Sequence, residues 1–292
     1  MIRVFKSDQA RRRVLASYDE IIASWGVEAE QRSVMTRYGI THCCIAGSPQ
    51  HPPLFLLHGV GDNSAVMWAL NMKELSTRYY CIAIDTLGGP GKSVPGDRYK
   101  KGEFLQTEWL DEVIRSFDYE RISLAGVSNG AYMAFRYATV HPERVNKVVC
   151  IEGGIVTSPL KAMLRTMGMM FPEILFPTER SMLRIVRKLS SPSSDVWEKH
   201  EPLARHLVLL MKTHNANAMF PHELVPFEES QGQGIRDKLL FLIGEHSRIT
   251  RKAFSDVLDA GRFRYERISN AGHGVNHEQP EAFQRTILQF LE

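Results

Sequence analysis

No apolar run in the 292 residues reaches the roughly 18 that a membrane-spanning helix needs, so a helical membrane protein is excluded. An excess of one charge sign is also missing. Lys and Arg total 36 against 33 Asp and Glu, a net charge of +3, which argues against a dedicated nucleic-acid binder and its concentrated basic face. Cysteine is scarce: Cys43, Cys44, Cys81 and Cys150 form no C-x-x-C pair. Each lies in an apolar or strand-like run, where a reduced thiol acts as a small hydrophobe, so neither a disulfide framework nor structural zinc is expected. The opening MIRVFKSDQARRR turns polar and basic where a signal peptide needs an apolar stretch, so a cytoplasmic setting is expected. Internal repeats and low-complexity segments are absent.

What is present suits a large globular α/β fold or one domain carrying an insertion. Apolar residues make up 43% and charged residues 24%, enough for a sizeable core under an ordinary surface. From Asp8 to Trp25, apolar residues recur at helical spacing, with Ser7 or Asp8 as N-cap and Gly26 as the stop. SVMTRYGITHCCIAG reads as two strands around the Tyr38-Gly39 turn. Six short, β-rich runs follow at 53–59, 79–85, 121–126, 145–152, 238–244 and 263–269. Near-continuous apolar runs of this length suit parallel strands buried on both faces. Helical patterns lie between them, notably Phe104–Phe117, Ala131–Thr139 and Glu281–Leu291. The alternation predicts an eight-stranded, mostly parallel sheet flanked by helices.

One segment breaks the alternation. From about Gly153 to Gly234 no strand pattern occurs, only helical stretches broken by seven prolines and holding seven of the chain's twelve Met residues. These are Met163, Met167, Met169, Met170, Met182, Met211 and Met219. The expected division is an N-terminal helix packed on the core (1–30), the core itself (31–152 and 237–292) and an inserted helical cap (153–236). The Met residues either line a pliable pocket or pack the cap's own interior. Lys161 to Lys212 holds nine Lys or Arg against five acids, which reads chiefly as a solvated helix face.

The sharpest chemical signal is Gly126-Val127-Ser128-Asn129-Gly130, directly after a strand and before a helix. A nucleophilic Ser on a strained strand-to-helix turn needs small neighbours so that its hydroxyl stands clear. A Gly-rich connection carrying a structural Ser is the bland alternative, and context decides between them. His58-Gly59 ends a strand, with Trp68 ten residues on. Asp85-Thr86-Leu87-Gly88-Gly89-Pro90-Gly91-Lys92-Ser93 is similar to a D-x-x-G-x-G-x-S loop with one extra residue. Asn270-Ala271-Gly272-His273 follows a strand and precedes Glu278-Gln279-Pro280.

Four such motifs, in this order at these strand ends, resemble the α/β-hydrolase superfamily over nearly the whole chain. The resemblance implies Ser128 as nucleophile and His273 as its base. It also implies an oxyanion hole from the backbone N–H groups of Val60 and Asn129. Neither a metal nor an organic cofactor is implied. His273 and His277 are four apart, but glycines flank His273 and no third ligand sits at a useful spacing, so a metal pair is disfavoured. The acid departs from the usual pattern. The resemblance expects Asp at position 247, where this chain has Ser247. Glu152, at the end of another strand, is preferred as a relocated acid over Glu245, and the case in which neither serves stays open. His246 reads as a loop residue.

The resulting expectation is a carboxylesterase-like hydrolase acting on a small, apolar ester. Dehalogenase and epoxide hydrolase relatives carry a carboxylate nucleophile, so Ser128 disfavours them. Lactonase, thioesterase and C–C bond hydrolase share the triad and stay open. So does a non-catalytic ligand-binding regulator on the same fold.

Overall fold

Along each central strand, apolar side chains alternate between two separate cores, which requires the sheet to be covered on both faces. The structure, a computed structural model, describes residues 2–292. Its strands are β1 (Glu30–Thr36), β2 (Gly39–Ala46), β3 (Pro53–Leu57), β4 (Tyr80–Ile84), β5 (Val94–Pro95), β6 (Ile122–Val127), β7 (Val145–Ile151), β8 (Leu239–Gly244) and β9 (Tyr265–Ile268). They form one sheet in the order β1-β2-β4-β3-β6-β7-β8-β9, with β5 paired to β2. Pairings from β4 to β9 are parallel, and those of β2 with β1, β4 and β5 are antiparallel.

The strand count is therefore nine, not eight. The extra strand, β5, is two residues set against Ile40 and Gly39. Two residues are too few to carry an alternation, and Pro95 donates nothing to a ladder.

The helices are α1 (Asp8–Ala23), α2 (Ser64–Met67), α3 (Met72–Leu75), α4 (Gln106–Arg115), α5 (Asn129–Val140), α6 (Pro159–Met170), α7 (Glu179–Leu189), α8 (Val196–Lys199), α9 (Glu201–Thr213), α10 (Lys252–Ala260), α11 (Val275–Glu278) and α12 (Pro280–Leu291). Leu54 and Leu56 of β3 face one core with α1, α2, α3, α9 and α12, while Phe55 and Leu57 face the other with α4, α5 and α10. Full burial of each such side chain contributes about 1.5–3 kcal/mol. No helix among the described residues is long and apolar enough to cross a membrane.

Ser7 caps α1, its hydroxyl accepting from Ala10 N–H at 3.0 Å. Between β7 and β8 the chain leaves the sheet for α6 to α9. Of these, α9 is anchored to the core. Buried His206 accepts from Asn63 Nδ2 at 3.0 Å and pairs with Ser17 Oγ of α1 at 2.8 Å. Burial pulls this imidazole down to about 4, so it stays neutral as a structural link. Helix α6 has no buried residue at all.

Candidate active site

In an open parallel sheet, the loops leaving the carboxyl ends of the strands converge, and functional groups collect there. Here the loops after β3, β6, β7, β8 and β9 carry Val60, Ser128, Glu152, Ser247 and His273 respectively.

Ser128 occupies the single residue between β6 and α5, at φ +56°, ψ −113°. A non-glycine residue held there stores on the order of 1–3 kcal/mol, so the surroundings must fix it. Its N–H donates to Ile151 O at 2.8 Å, and its carbonyl accepts from Tyr132 N–H at 3.1 Å. Gly130 lets the turn close. A Cβ there would stand 2.3 Å from Leu57 O. Asn129 opens α5, where backbone N–H groups lack intrahelical partners and the helix dipole favours negative charge. Val60 lines the same cavity as Ser128, and a Cβ on neighbouring Gly59 would lie 3.5 Å from Ser128 Cβ. His58 holds this loop. Its Nε2 accepts from Thr86 N–H at 2.9 Å, which leaves Nδ1–H to donate to Gly59 O at 2.8 Å. Burial lowers the His58 pKa, so it stays the neutral tautomer that this pair of bonds needs.

Glu152 follows β7 directly, at φ +53° and 1% exposed. Its carboxylate accepts from four donors: Gly244 N–H at 2.7 Å, Thr250 Oγ1 at 2.8 Å, the Ser247 hydroxyl, and His273 Nδ1 at 2.9 Å. A carboxylate only accepts, so Nδ1 carries a proton in this pair. The Ser247 hydroxyl thus donates to Glu152 from the position where an acid is usual, and its oxygen accepts from Ile249 and Thr250 N–H. Glu245 points elsewhere: it is half-exposed and accepts from Asn270 N–H at 3.0 Å. His246 lies beside it on the surface.

The His273 loop is pinned by Glu278, whose buried carboxyl accepts from Gly272 N–H and Gly274 N–H, both at 3.1 Å, and from Ser191 N–H at 2.6 Å. His273 N–H donates to Leu189 O at 2.7 Å, so the end of α7 helps to set the loop. His277 is buried in α11 against Trp197, its Nε2 paired with Val66 O at 2.9 Å. Burial pulls it down to about 4, and it serves as a neutral structural donor.

Ser128 and His273 share a cavity of about 280 Å³ roofed by α6, α7 and α9. The methionines divide by position. Met169, Met170 and Met211 line the cavity, joined by Met67 from α2. Met182 packs with Ile185 and Val208 inside the insertion, Met219 is buried, and Met163 and Met167 face solvent. Asp62 also lines the cavity, and burial, with a further push from Asp85, raises its carboxyl to about 7.

The comparisons with known proteins agree with this architecture. Residues 52–180 match the family model of the alpha/beta hydrolase fold. Carboxylesterase YbfK of Bacillus subtilis (strain 168) is 28% identical, across 98% of this chain and 96% of that protein. The crystal structure of carboxylesterase CesB (YbfK) superposes with a TM-score of 0.81 at 25% identity, covering 97% of this chain and 98% of the other. The chain has the alpha/beta hydrolase fold and is similar to carboxylesterases over nearly its whole length. A second relative of this hydrolase, the uncharacterized carboxylesterase nap of the same organism, is 25% identical over 96% of the chain and 92% of its own length. The crystal structure of naproxen esterase from Bacillus subtilis shares the hydrolase's fold, with a TM-score of 0.82 at 23% identity and coverage of 98% and 99%.

Sequence reasoning missed two residues of this site, Asp62 and Thr250, and quoted Glu278 without a role. Asp62 stands three residues after Gly59 in a loop already singled out, so its carboxyl is a signal the sequence offers. Thr250 is a polar residue without a distinctive pattern, and only its contact with Glu152 singles it out.

Proposed function

We propose that the protein hydrolyses carboxylic esters of small alcohols and apolar acids through an acyl-enzyme on Ser128, with His273 as general base and acid and Glu152 as the triad acid. The observation that carries this reading is the 2.9 Å contact between His273 Nδ1 and buried Glu152, in the cavity that Ser128 opens into. Ser128 Oγ attacks the ester carbonyl and gives its proton to His273 Nε2. Glu152 stabilises the resulting imidazolium across Nδ1–H. Negative charge on the carbonyl oxygen is met by the N–H groups of Val60 and Asn129, donors whose individual loss costs about 10²–10³ in turnover. Collapse of the tetrahedral adduct expels the alcohol, protonated by His273. Water, activated by the same imidazole, then attacks the acyl-enzyme and releases the acid.

The ground for a non-catalytic ligand binder is the hydroxyl at Ser247 where an acid is usual. Glu152, hydrogen-bonded to both Ser247 and His273, supports the catalytic reading instead. The four cysteines are buried and unpaired, which supports placing the protein in a reducing compartment such as the cytoplasm. A fluorophosphonate probe tests the reading. Labelling confined to Ser128 by peptide mass, and lost in Ser128→Ala, is the expected result. Unlabelled native protein at high probe concentration would refute it.

A further inference from the structure

Among the described residues sixteen large apolar side chains are exposed, and eight of them fall between residues 160 and 176. Scattered exposed apolar residues are ordinary, but a cluster in one short segment marks a surface built for contact. Leu160, Met163, Leu164 and Met167 follow i, i+3, i+4 and i+7 spacing, one stripe along the outside of α6, and exposed Phe171 follows directly after the helix. Ile174, Leu175 and Phe176 continue it along the segment that follows. Thr166, Met169 and Met170 of the same helix line the cavity above Ser128, Met169 from the side opposite the stripe. Helix α6 is therefore apolar both inward and outward, and only its flank carries charge, at Lys161 and Arg165.

The charge around the stripe decides the occupant. Residues 158–190 hold six Lys or Arg and two acids. Glu173, one of the acids, is paired with Lys188 at 2.6 Å, and Arg187 with Glu198 at 2.6 Å, so that among the described residues Lys161, Arg165, Arg180 and Arg184 have no acid partner. Across a two-fold axis a second copy would set this basic rim against itself, an arrangement that costs rather than contributes. An apolar face rimmed by unpaired cations suits a lipid layer with anionic headgroups. We propose that the outer face of α6 and the following segment dock in the surface of an anionic lipid layer. The apolar stripe enters the headgroup boundary, and Lys161, Arg180 and Arg184 meet the phosphates. Docking there sets the cavity roof against the lipid, so esters dissolved in the layer reach Ser128 directly. This last step rests on the hydrolase reading above.

Co-sedimentation of the intact protein with vesicles tests the proposal. One vesicle set is phosphatidylcholine, the other phosphatidylcholine with about one-third phosphatidylglycerol. The protein is expected to sediment with the anionic vesicles only, and less so at high salt. Lys161→Gln and Arg184→Gln should each weaken partitioning about fivefold. The pair Leu164→Gln/Met167→Gln should abolish it, while hydrolysis of a water-soluble short ester stays unchanged, since neither residue lines the cavity. No binding to anionic vesicles, or equal binding by these variants, overturns the proposal. So does a concentration-dependent dimer that Leu164→Gln abolishes. Vesicle binding without ester hydrolysis would leave the docking surface standing and sink the hydrolase reading. Hydrolysis without vesicle binding would do the reverse.

Discussion

At the scale of single residues, the proposed acid site is a relocation whose parts fit each other. A carboxylate buried at Glu152 costs several kcal/mol unless fully hydrogen-bonded, and here four donors surround it. Ser247 contributes one of them and also accepts two backbone N–H groups, so Ser247→Ala should lower stability by about 1–3 kcal/mol in urea unfolding. It should leave the His273–Glu152 pair in place and reduce kcat far less than loss of Glu152. Asp62 behaves in the opposite sense. Its carboxyl rises from 3.8 to about 7 on folding because burial disfavours charge. Between those values the native state holds a proton that the unfolded chain has lost, so stability falls as pH rises through this window and levels off above it. Asp62→Asn should therefore raise stability at pH 8 by about 1–3 kcal/mol, discounted for its remaining solvent contact, and change little near pH 4. Denaturant melts at both pH values check this. A stabilisation equal at both would mean that the charge is not the cause.

At the scale of elements, legibility followed length. The expectation of a helix from Asp8 onward and of Ser7 as a cap matches α1; β3, β4, β7, β8 and β9 lie within the runs read from the sequence, and β6 extends one residue past its run, to Val127. Helices α2, α3, α8 and α11 have four residues each, about one turn, too short to display a 3.6-residue period. The elbow was legible because its chemistry demands glycine. Gly130→Ala should cost roughly 1–3 kcal/mol and lower kcat, since the added methyl meets backbone atoms of Leu57 and His58 that have no freedom to retreat. Gly153 is a second close approach, with a Cβ there falling 2.6 Å from Ser128 O, and the sequence gives no warning of it. On the proposed function, the roof helices are expected to set the acyl preference. Met169, Met170, Ile185 and Leu189 offer apolar contact, so kcat/KM for p-nitrophenyl esters should rise from acetate to butyrate by up to about fourfold per buried methylene. A strict acetyl preference would show that the roof closes tightly over Ser128.

At the scale of the whole molecule, the proposed triad gathers Ser128, Glu152 and His273 from the ends of three parallel strands, with Glu152 and His273 separated by 121 positions. Motif order pointed to Ser128 and His273 because each sits in a loop of distinctive composition. The choice between Glu152 and Glu245 was not legible in that way. Both follow β-strands, and the side-chain contacts distinguish them: Glu152 reaches His273 Nδ1, whereas Glu245, although its strand adjoins β9, accepts from Asn270 N–H. Glu278 pins the His273 loop locally, through Gly272 and Gly274 N–H, and its one distant contact, with Ser191 N–H, ties that loop to the segment after α7. Glu278→Gln should lower kcat more than it raises KM, because the loop loses its fixed geometry while the cavity keeps its lining. The measurement that reaches the central claim most directly is kcat of Glu152→Gln against Glu245→Gln on one short ester. The account expects Glu152→Gln to lose about 10⁴ in kcat, as neutralising the acid does in a worked serine triad, and Glu245→Gln to stay near native. The reverse ranking, or near-native turnover in both, would contradict it.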